Sequence, residues 1–304
     1  MIGQAVREAL QRFVPSENIK YDEMLKNHTT FRVGGPADCV LYVQDEGQLQ
    51  GVINYLQKVE LPYFVLGNGS NLLVGDQGYP GIVLKLAEDM SHVTVTGRRI
   101  HAQAGATLSK VARVALEHGL TGMEFAAGIP GTVGGGVIMN AGAYDGEMKM
   151  VVEYVEVVDR EGNQLKLNNA TMEFGYRTSV LKNQNFVVTG CTFLLQEGSK
   201  DEIKAKMEDF ASRRREKQPL EYPSAGSTFK RPEGHFAGKL IMDAGLAGLQ
   251  VGGARVSEKH CGFVINTGDA TAADIRQLME QVQEEVYRQF SVRLEPEIIF
   301  LGEF

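Results

Sequence analysis

The sequence predicts an α+β protein with more than one domain. Three observations predict this. At 304 residues the chain is long enough for two or three domains. Short apolar runs of strand length are grouped into β-rich stretches separated by helical stripes. Residues 218–223 then place two prolines in an extended stretch, which marks a boundary.

Along the chain, residues 2–13 read as a helix. Residues 40–43, 63–66 and 82–84 read as short strands, with a helix near residues 46–58, and this first β-rich stretch ends near Leu86. Residues 93–96 and 100–104 read as a hairpin turning through Gly97-Arg98-Arg99. Thr107 can cap the next helix, where Leu108, Val111, Ala112 and Ala115 share a face and Gly119 ends it. Residues 151–158 alternate, turn at Asp159-Arg160-Glu161-Gly162 and return through 164–167, and residues 186–195 make a further long strand. Ser199-x-x-Glu202 has the pattern of a capping box opening a helix that ends near Pro219. Beyond the boundary, residues 236–244 and 271–290 read as helices, and 263–265 and 297–301 as strands. The stripe Ile275, Leu278, Met279, Val282 and Val286 reads as core packing.

Composition narrows the function. The hydrophobic fraction is 43% and the charged fraction 23%, ordinary for a globular protein. A net charge of −7 argues against a general nucleic-acid binder, although Arg213-Arg214-Arg215 is a local basic cluster. Cys39, Cys191 and Cys261 form no CxxC pair and no metal spacing, so no metal is expected and reduced thiols in a cytoplasmic protein are. The amphipathic residues 1–14 carry Arg7, Glu8 and Arg12 and lack the apolar core of a signal peptide, and no run approaches the length of a membrane span.

Two glycine-rich loops about sixty residues apart stand out. The first, Gly67-Asn68-Gly69-Ser70-Asn71, follows the apolar run Tyr63-Phe64-Val65-Leu66. The second, Gly128-Ile129-Pro130-Gly131-Thr132-Val133-Gly134-Gly135-Gly136, leads into Asn140-Ala141-Gly142-Ala143-Tyr144. Successive backbone N–H groups in such loops form concave nests that suit phosphate, and two nests suit one elongated ligand with two phosphates. Neither loop is a G-x-x-x-x-G-K-[ST] loop or a G-x-G-x-x-G fingerprint opening a helix. Taken singly, either loop also reads as turn punctuation. Five glycines in nine residues raise the entropy lost on folding, and a close backbone approach to a ligand would account for that in the second loop.

Three further segments carry polar residues in odd places: Phe174-Gly175-Tyr176-Arg177-Thr178-Ser179, Tyr222-Pro223-Ser224-Ala225-Gly226-Ser227-Thr228-Phe229-Lys230-Arg231-Pro232, and Leu294-Glu295-Pro296-Glu297-Ile298. Little side-chain bulk shields Ser227, but it is not in a G-x-S-x-G elbow, and a nucleophilic serine needs a base for which His235 and His260 are the candidates. Taken one at a time, a turn serine, a surface or salt-bridged arginine and a solvated glutamate are the commoner readings.

Taken in order, these segments together with Asn27-His28-Thr29-Thr30-Phe31-Arg32-Val33-Gly34-Gly35-Pro36-Ala37 resemble the UDP-N-acetylenolpyruvoylglucosamine reductase family, from about residue 20 to the end. The resemblance implies the FAD-binding fold of vanillyl-alcohol-oxidase type. Residues 1–86, joined by 296–304, and residues 87–218 would be two FAD-binding subdomains, and 219–295 an α+β substrate-binding domain. FAD would be held non-covalently, its pyrophosphate cradled by Gly67, Asn68, Gly69, Ser70 and Asn71 and by Gly128, Ile129, Pro130, Gly131, Thr132, Gly134 and Gly135. The implied reaction reduces UDP-N-acetylglucosamine enolpyruvate to UDP-N-acetylmuramate with NADPH, in bacterial peptidoglycan synthesis. A hydride passes from flavin N5 to the enolpyruvyl β-carbon. Arg177 would polarise the substrate carboxylate, Ser227 would deliver the proton to the α-carbon, and Glu297 would assist. Arg214 and Lys217 would meet the UDP diphosphate or the cofactor, and Lys239 and His260 would be neighbours of the site.

Two departures stand out. Arg231 sits where many members have Asn, and the stretch 179–188 is too short for the tyrosine lid loop of one branch, so the chain resembles the compact branch. The competing readings are another flavin enzyme of the same fold, such as a sugar or alcohol oxidase, a non-redox UDP-sugar-binding protein, and a ligand-free interaction module.

Overall fold

A computed structural model describes residues 2–86, 88–184 and 186–304. Met1, which opens the amphipathic N-terminal stretch, Ala87, which follows the expected subdomain end, and Asn185, inside the short stretch 179–188, lie outside the described residues. The chain forms two compact units. The first comprises Met1–Tyr21, Cys39–Asn68 and Gly81–Arg214, and the second Asp22–Asp38, Gly69–Pro80 and Arg215–Phe304.

The first unit opens with helix α1 (Gln4–Leu10), shorter than the expected 2–13. Pro15 forces its predecessor out of the helical region, so the chain leaves the helix through turns before Val14. Strands Ile19–Met24, Pro36–Val43, Tyr79–Leu86 and Tyr63–Leu66 lie in that order in one sheet, the last two parallel. Helix α2 (Glu46–Lys58) runs between strands Pro36–Val43 and Tyr63–Leu66 and buries Leu49, Val52, Ile53 and Leu56. Asp45 caps it by accepting from the Gln48 N–H.

A second, five-stranded antiparallel sheet has the order Gln164–Asn168, Val152–Val158, Val187–Leu194, Arg99–Gln103, Val93–Thr96. Thr96 pairs with Arg99, so the hairpin turns on the two residues Gly97 and Arg98, one fewer than expected. Gly97 at φ +58° takes the first corner, which favours glycine in tight hairpins. Helix α3 (Leu108–Glu117) is capped by Thr107, whose hydroxyl accepts from the Lys110 N–H, and it buries the four expected residues.

The largest departure from the sequence reading is helix α4 (Val133–Ile138), which rises out of the second glycine loop. Glycine is a poor helix former, so the local pattern argues against it. Packing overrides propensity here. The Gly134 N–H donates to the Ala104 carbonyl at 2.9 Å, and a side chain at Gly136 would crowd Leu108 and Met148. The unit ends within α5 (Lys200–Lys217).

In the second unit, strands Gln250–Val251, Ala254–Val256 and Val264–Asn266 form a small antiparallel sheet. Helix α6 (Ala237–Asp243) and the long helix α7 (Ala272–Phe290) share its core, where Leu240, Ile241, Val256, Val264, Ile275, Leu278 and Val282 are buried. Helix α7 opens with a capping box: Thr271 accepts from the Asp274 N–H while Asp274 accepts from the Thr271 N–H. Asp76 accepts from two more first-turn donors, Ala272 N–H at 2.8 Å and Ala273 N–H at 2.9 Å. The C-terminal strand Ile299–Leu301 pairs in parallel with Leu72–Val74. No described helix is long and apolar enough to cross a membrane.

Candidate functional site

The two glycine loops meet in the first unit. Asn68 Nδ2 donates to the Pro130 carbonyl at 3.1 Å, and a Cβ at Gly67 would run into Thr132 Oγ1 and Cγ2. Glycine at 67 is therefore a requirement of close approach rather than turn punctuation. The second loop is pinned from below: Leu108 N–H donates to the Gly131 carbonyl, Val133 N–H to Ala106 and Gly134 N–H to Ala104. Ile129 N–H turns back to Ala126, and Thr132 serves as N-cap of α4 with its carbonyl accepting from Gly136. These bonds consume part of the nest. Among the described residues, the backbone N–H groups of Thr132 and Gly135 have no backbone acceptor, and Gly135 is exposed.

Two cations brace this loop pair. The Lys85 ammonium donates to the Gly67 carbonyl, and burial lowers its pKa from 10.5 to about 8. The Arg214 guanidinium donates to the Gly128 carbonyl, and burial lowers its pKa too. Arg214 also lies where a side chain at Gly128 would have to go, its Nη1 2.6 Å from an added Cβ. Lys217 ends α5 and is exposed. Lys85 gave no sequence signal, because a lysine in a strand is ordinarily a solvated one.

Arg177, also in the first unit, sits at the second corner of a tight turn. Gly175 N–H donates to the Thr178 carbonyl at 3.1 Å, and Thr178 N–H returns to Gly175 at 3.4 Å. Arg177 has φ +54°, a conformation costing a non-glycine residue roughly 1–2 kcal/mol and one where glycine is the default. Its Nη2 donates to the Gly142 carbonyl at 3.1 Å. The turn therefore holds an arginine against its local preference, as strained functional positions do.

In the second unit, the remainder of the first loop is tied to the C-terminal segment. Asn71 Nδ2 donates to the Glu297 carbonyl at 3.1 Å, and Ile299 N–H donates to the Asn71 carbonyl at 2.9 Å. Gly69, at φ +60°, packs on the His28 carbonyl, and Ser70 follows it in the turn before strand Leu72–Val74. Glu297 N–H donates to the Thr228 carbonyl at 2.9 Å, next to a bridge between Phe229 and Pro296. This brings Ser227 and Glu297, seventy residues apart in sequence, onto adjoining backbone.

Ser227 itself is exposed, between the buried Ala225 and Thr228. Thr228 is fixed on both sides, its N–H donating to Gly262 at 2.8 Å and its Oγ1 accepting from Val264 N–H at 2.9 Å. Of the two histidines, His260 lies near this frame. Its Nδ1 accepts from Gly262 N–H at 3.1 Å, and burial lowers its pKa, favouring the neutral ring. His235 is exposed, and its carbonyl accepts from Arg231 Nε at 3.3 Å. Arg231 also lies over the Phe236 ring at 3.9 Å. Lys239 pairs with Asp243 on the surface of α6, and Lys230 with Glu295 at 2.9 Å.

Residues 37–168 match a family described as "FAD binding domain", and residues 218–301 one described as "UDP-N-acetylenolpyruvoylglucosamine reductase, C-terminal domain". The chain is 51% identical over 302 residues to a UDP-N-acetylenolpyruvoylglucosamine reductase of Caldanaerobacter subterraneus subsp. tengcongensis, covering 99% of this chain and 100% of the relative. It is 48% identical over 303 residues to the like-named protein of Clostridioides difficile, covering 100% of both. The crystal structure of the Thermus caldophilus reductase superposes with a TM-score of 0.81 at 39% identity, covering 92% of this chain and 98% of that one. The α+β fold is thus the FAD-binding type expected. The loops also fit FAD on their own geometry: side-chain-free backbone at Gly67, exposed Gly135, and N–H groups at Thr132 and Gly135 left for an anion. Matched along its whole length by relatives this similar, the chain belongs to the UDP-N-acetylenolpyruvoylglucosamine reductase family.

Proposed function

We propose that this protein reduces UDP-N-acetylglucosamine enolpyruvate to UDP-N-acetylmuramate with NADPH, in the cytoplasm of a bacterium building peptidoglycan. The observation that most supports it is the Glu297–Thr228 backbone bond, which seats Glu297 beside the exposed Ser227 inside the region matching the reductase C-terminal domain. Bound FAD supplies a two-electron carrier able to take a hydride from NADPH and to give one to the enolpyruvyl β-carbon.

The chain's own residues handle charge and protons. Addition of hydride to the β-carbon leaves negative charge at the α-carbon, conjugated with the substrate carboxylate. The Arg177 fork matches a carboxylate bidentately and stabilises that charge as it develops. Ser227 delivers a proton from its hydroxyl to the α-carbon, completing saturation of the double bond. Glu297 orients that hydroxyl or hydrogen-bonds the enol. Gly67, Asn68 and the loop 128–135 hold the cofactor pyrophosphate, non-covalently. Arg214 and Lys217 meet the diphosphates, with the Gly128 contact favouring the cofactor end for Arg214. Residues 219–295 receive the substrate, while 296–304 return to the segment 1–86, a return supported by the pairing of Ile299–Leu301 with Leu72–Val74.

Ser227→Ala tests the proton step. The variant is expected to bind FAD and to be reduced by NADPH at the normal rate, while reoxidation by the enolpyruvyl substrate slows by roughly 10²-fold or more, the range for loss of a positioned proton donor. Reoxidation at the unaltered rate would remove Ser227 from the reaction.

A further inference from the structure

We propose that Asn140 is a positioning residue for Arg177, an inference resting on the role proposed for Arg177 above. Asn140 is fully buried and lies two residues beyond the end of α4, the helix that rises from the second glycine loop. Its backbone is left-handed at φ +43°, which asparagine tolerates better than most residues. Its side-chain amide spans two segments distant in sequence. Nδ2 donates to the Gly175 carbonyl at 2.9 Å, and Oδ1 accepts from the Lys149 N–H at 2.9 Å.

Gly175 opens the turn that carries Arg177. The same short stretch grips that turn at two other points. Ser179 Oγ donates to the Ile138 carbonyl at 2.8 Å, and Arg177 Nη2 donates to the Gly142 carbonyl at 3.1 Å. Residues 138–142 thus hold the turn before, at and after the arginine. The turn needs holding, because its second corner places a non-glycine residue in the left-handed region.

Only a short side chain offering a donor and an acceptor side by side makes both Asn140 bonds. Aspartate at 140 keeps the acceptor for Lys149 N–H but sets a carboxylate oxygen against the Gly175 carbonyl, leaving a buried repulsion that displaces the turn. A displacement of the order of 1 Å at a positioned group is enough to slow a reaction about 10²-fold. The segment therefore couples the cofactor loop to the arginine: α4 follows its N-cap Thr132, which lies beside Gly67, and two residues past its end comes the asparagine that fixes the Arg177 turn.

The test is a double-mutant cycle on the flavin-loaded enzyme: wild type, Asn140→Asp, Arg177→Gln and the double variant. Each is reduced by NADPH without oxygen and then mixed with UDP-N-acetylglucosamine enolpyruvate. Asn140→Asp is expected to slow flavin reoxidation about 10- to 100-fold while flavin content and the rate of reduction stay within about twofold. Arg177→Gln should slow reoxidation at least as much, and the double variant no more than Arg177→Gln alone. Wild-type reoxidation in Asn140→Asp, or losses that multiply in the double variant, would overturn the inference. Wild-type reoxidation in Arg177→Gln alone would overturn the Arg177 reading itself and this inference with it. Where Asn140→Asp fails to fold with flavin, Ser179→Ala releases the same turn from Ile138 and takes its place in the cycle. Slowed reoxidation that does not multiply with Arg177→Gln then supports the inference, and wild-type reoxidation or multiplying losses overturn it.

Discussion

At the scale of single residues, this chain keeps side chains in places their local preferences oppose. Arg177 occupies a left-handed corner, and Lys85 extends from a buried strand to the Gly67 carbonyl. Burial disfavours the Lys85 ammonium, so the folded chain releases that proton near pH 8 and the unfolded chain near 10.5. Between those values the unfolded state binds more protons, and stability rises with pH. Urea unfolding of flavin-free wild type and Lys85→Met at pH 7 and pH 10 checks this. The difference between the two proteins is expected to shift in favour of wild type at pH 10, and an equal difference at both pH values contradicts it. Sequence displayed Arg177, Ser227 and Glu297 as polar residues in odd settings, but not Lys85 or Asn140. Their significance lies in the carbonyls they reach, at positions 67 and 175, and no local pattern encodes such a partner.

At the scale of elements, apolar stripes made α3 and α7 legible, with Thr107 as the cap of α3, and α2 falls on the helix expected near residues 46–58. Helix α4 was illegible because three of its six residues are glycine and its stability comes from the surroundings: Ala104 accepts one of its N–H groups, and Leu108 and Met148 lie close to Gly136. The glycine loops were legible as loops and as a candidate phosphate cradle. Their mutual contact was not, because more than sixty residues separate Gly67 from Thr132. That contact yields a prediction. Gly67→Ala places a methyl group against Thr132, pushing the loops apart. FAD affinity, read from quenching of flavin fluorescence, should fall by about tenfold or more, as loss of a well-aligned nest implies. Unchanged affinity would mean that the loop contact does not shape the cofactor site.

At the scale of the whole molecule, each unit holds part of the proposed machinery. The first carries Gly67, Asn68, the second glycine loop and Arg177, and the second carries Gly69, Ser70, Asn71, Ser227 and Glu297. The order of motifs along the chain was sufficient to identify the family, and full-length relatives bear that out. It did not reveal that Glu297 bonds to Thr228, the residue after Ser227, next to a bridge between Phe229 and Pro296 across sixty-seven residues of chain. Nor did it reveal that the first glycine loop passes from one unit to the other after Asn68. The whole protein is proposed to work as a flavin enzyme reduced by NADPH and reoxidised by an enolpyruvyl UDP-sugar. The most direct test is the visible absorption spectrum of the purified protein, followed without oxygen through addition of NADPH and then of UDP-N-acetylglucosamine enolpyruvate. A flavin band that bleaches with NADPH and returns with the enolpyruvyl substrate is the expected result. A band that returns only with oxygen, or a colourless protein that takes up no FAD, would contradict it.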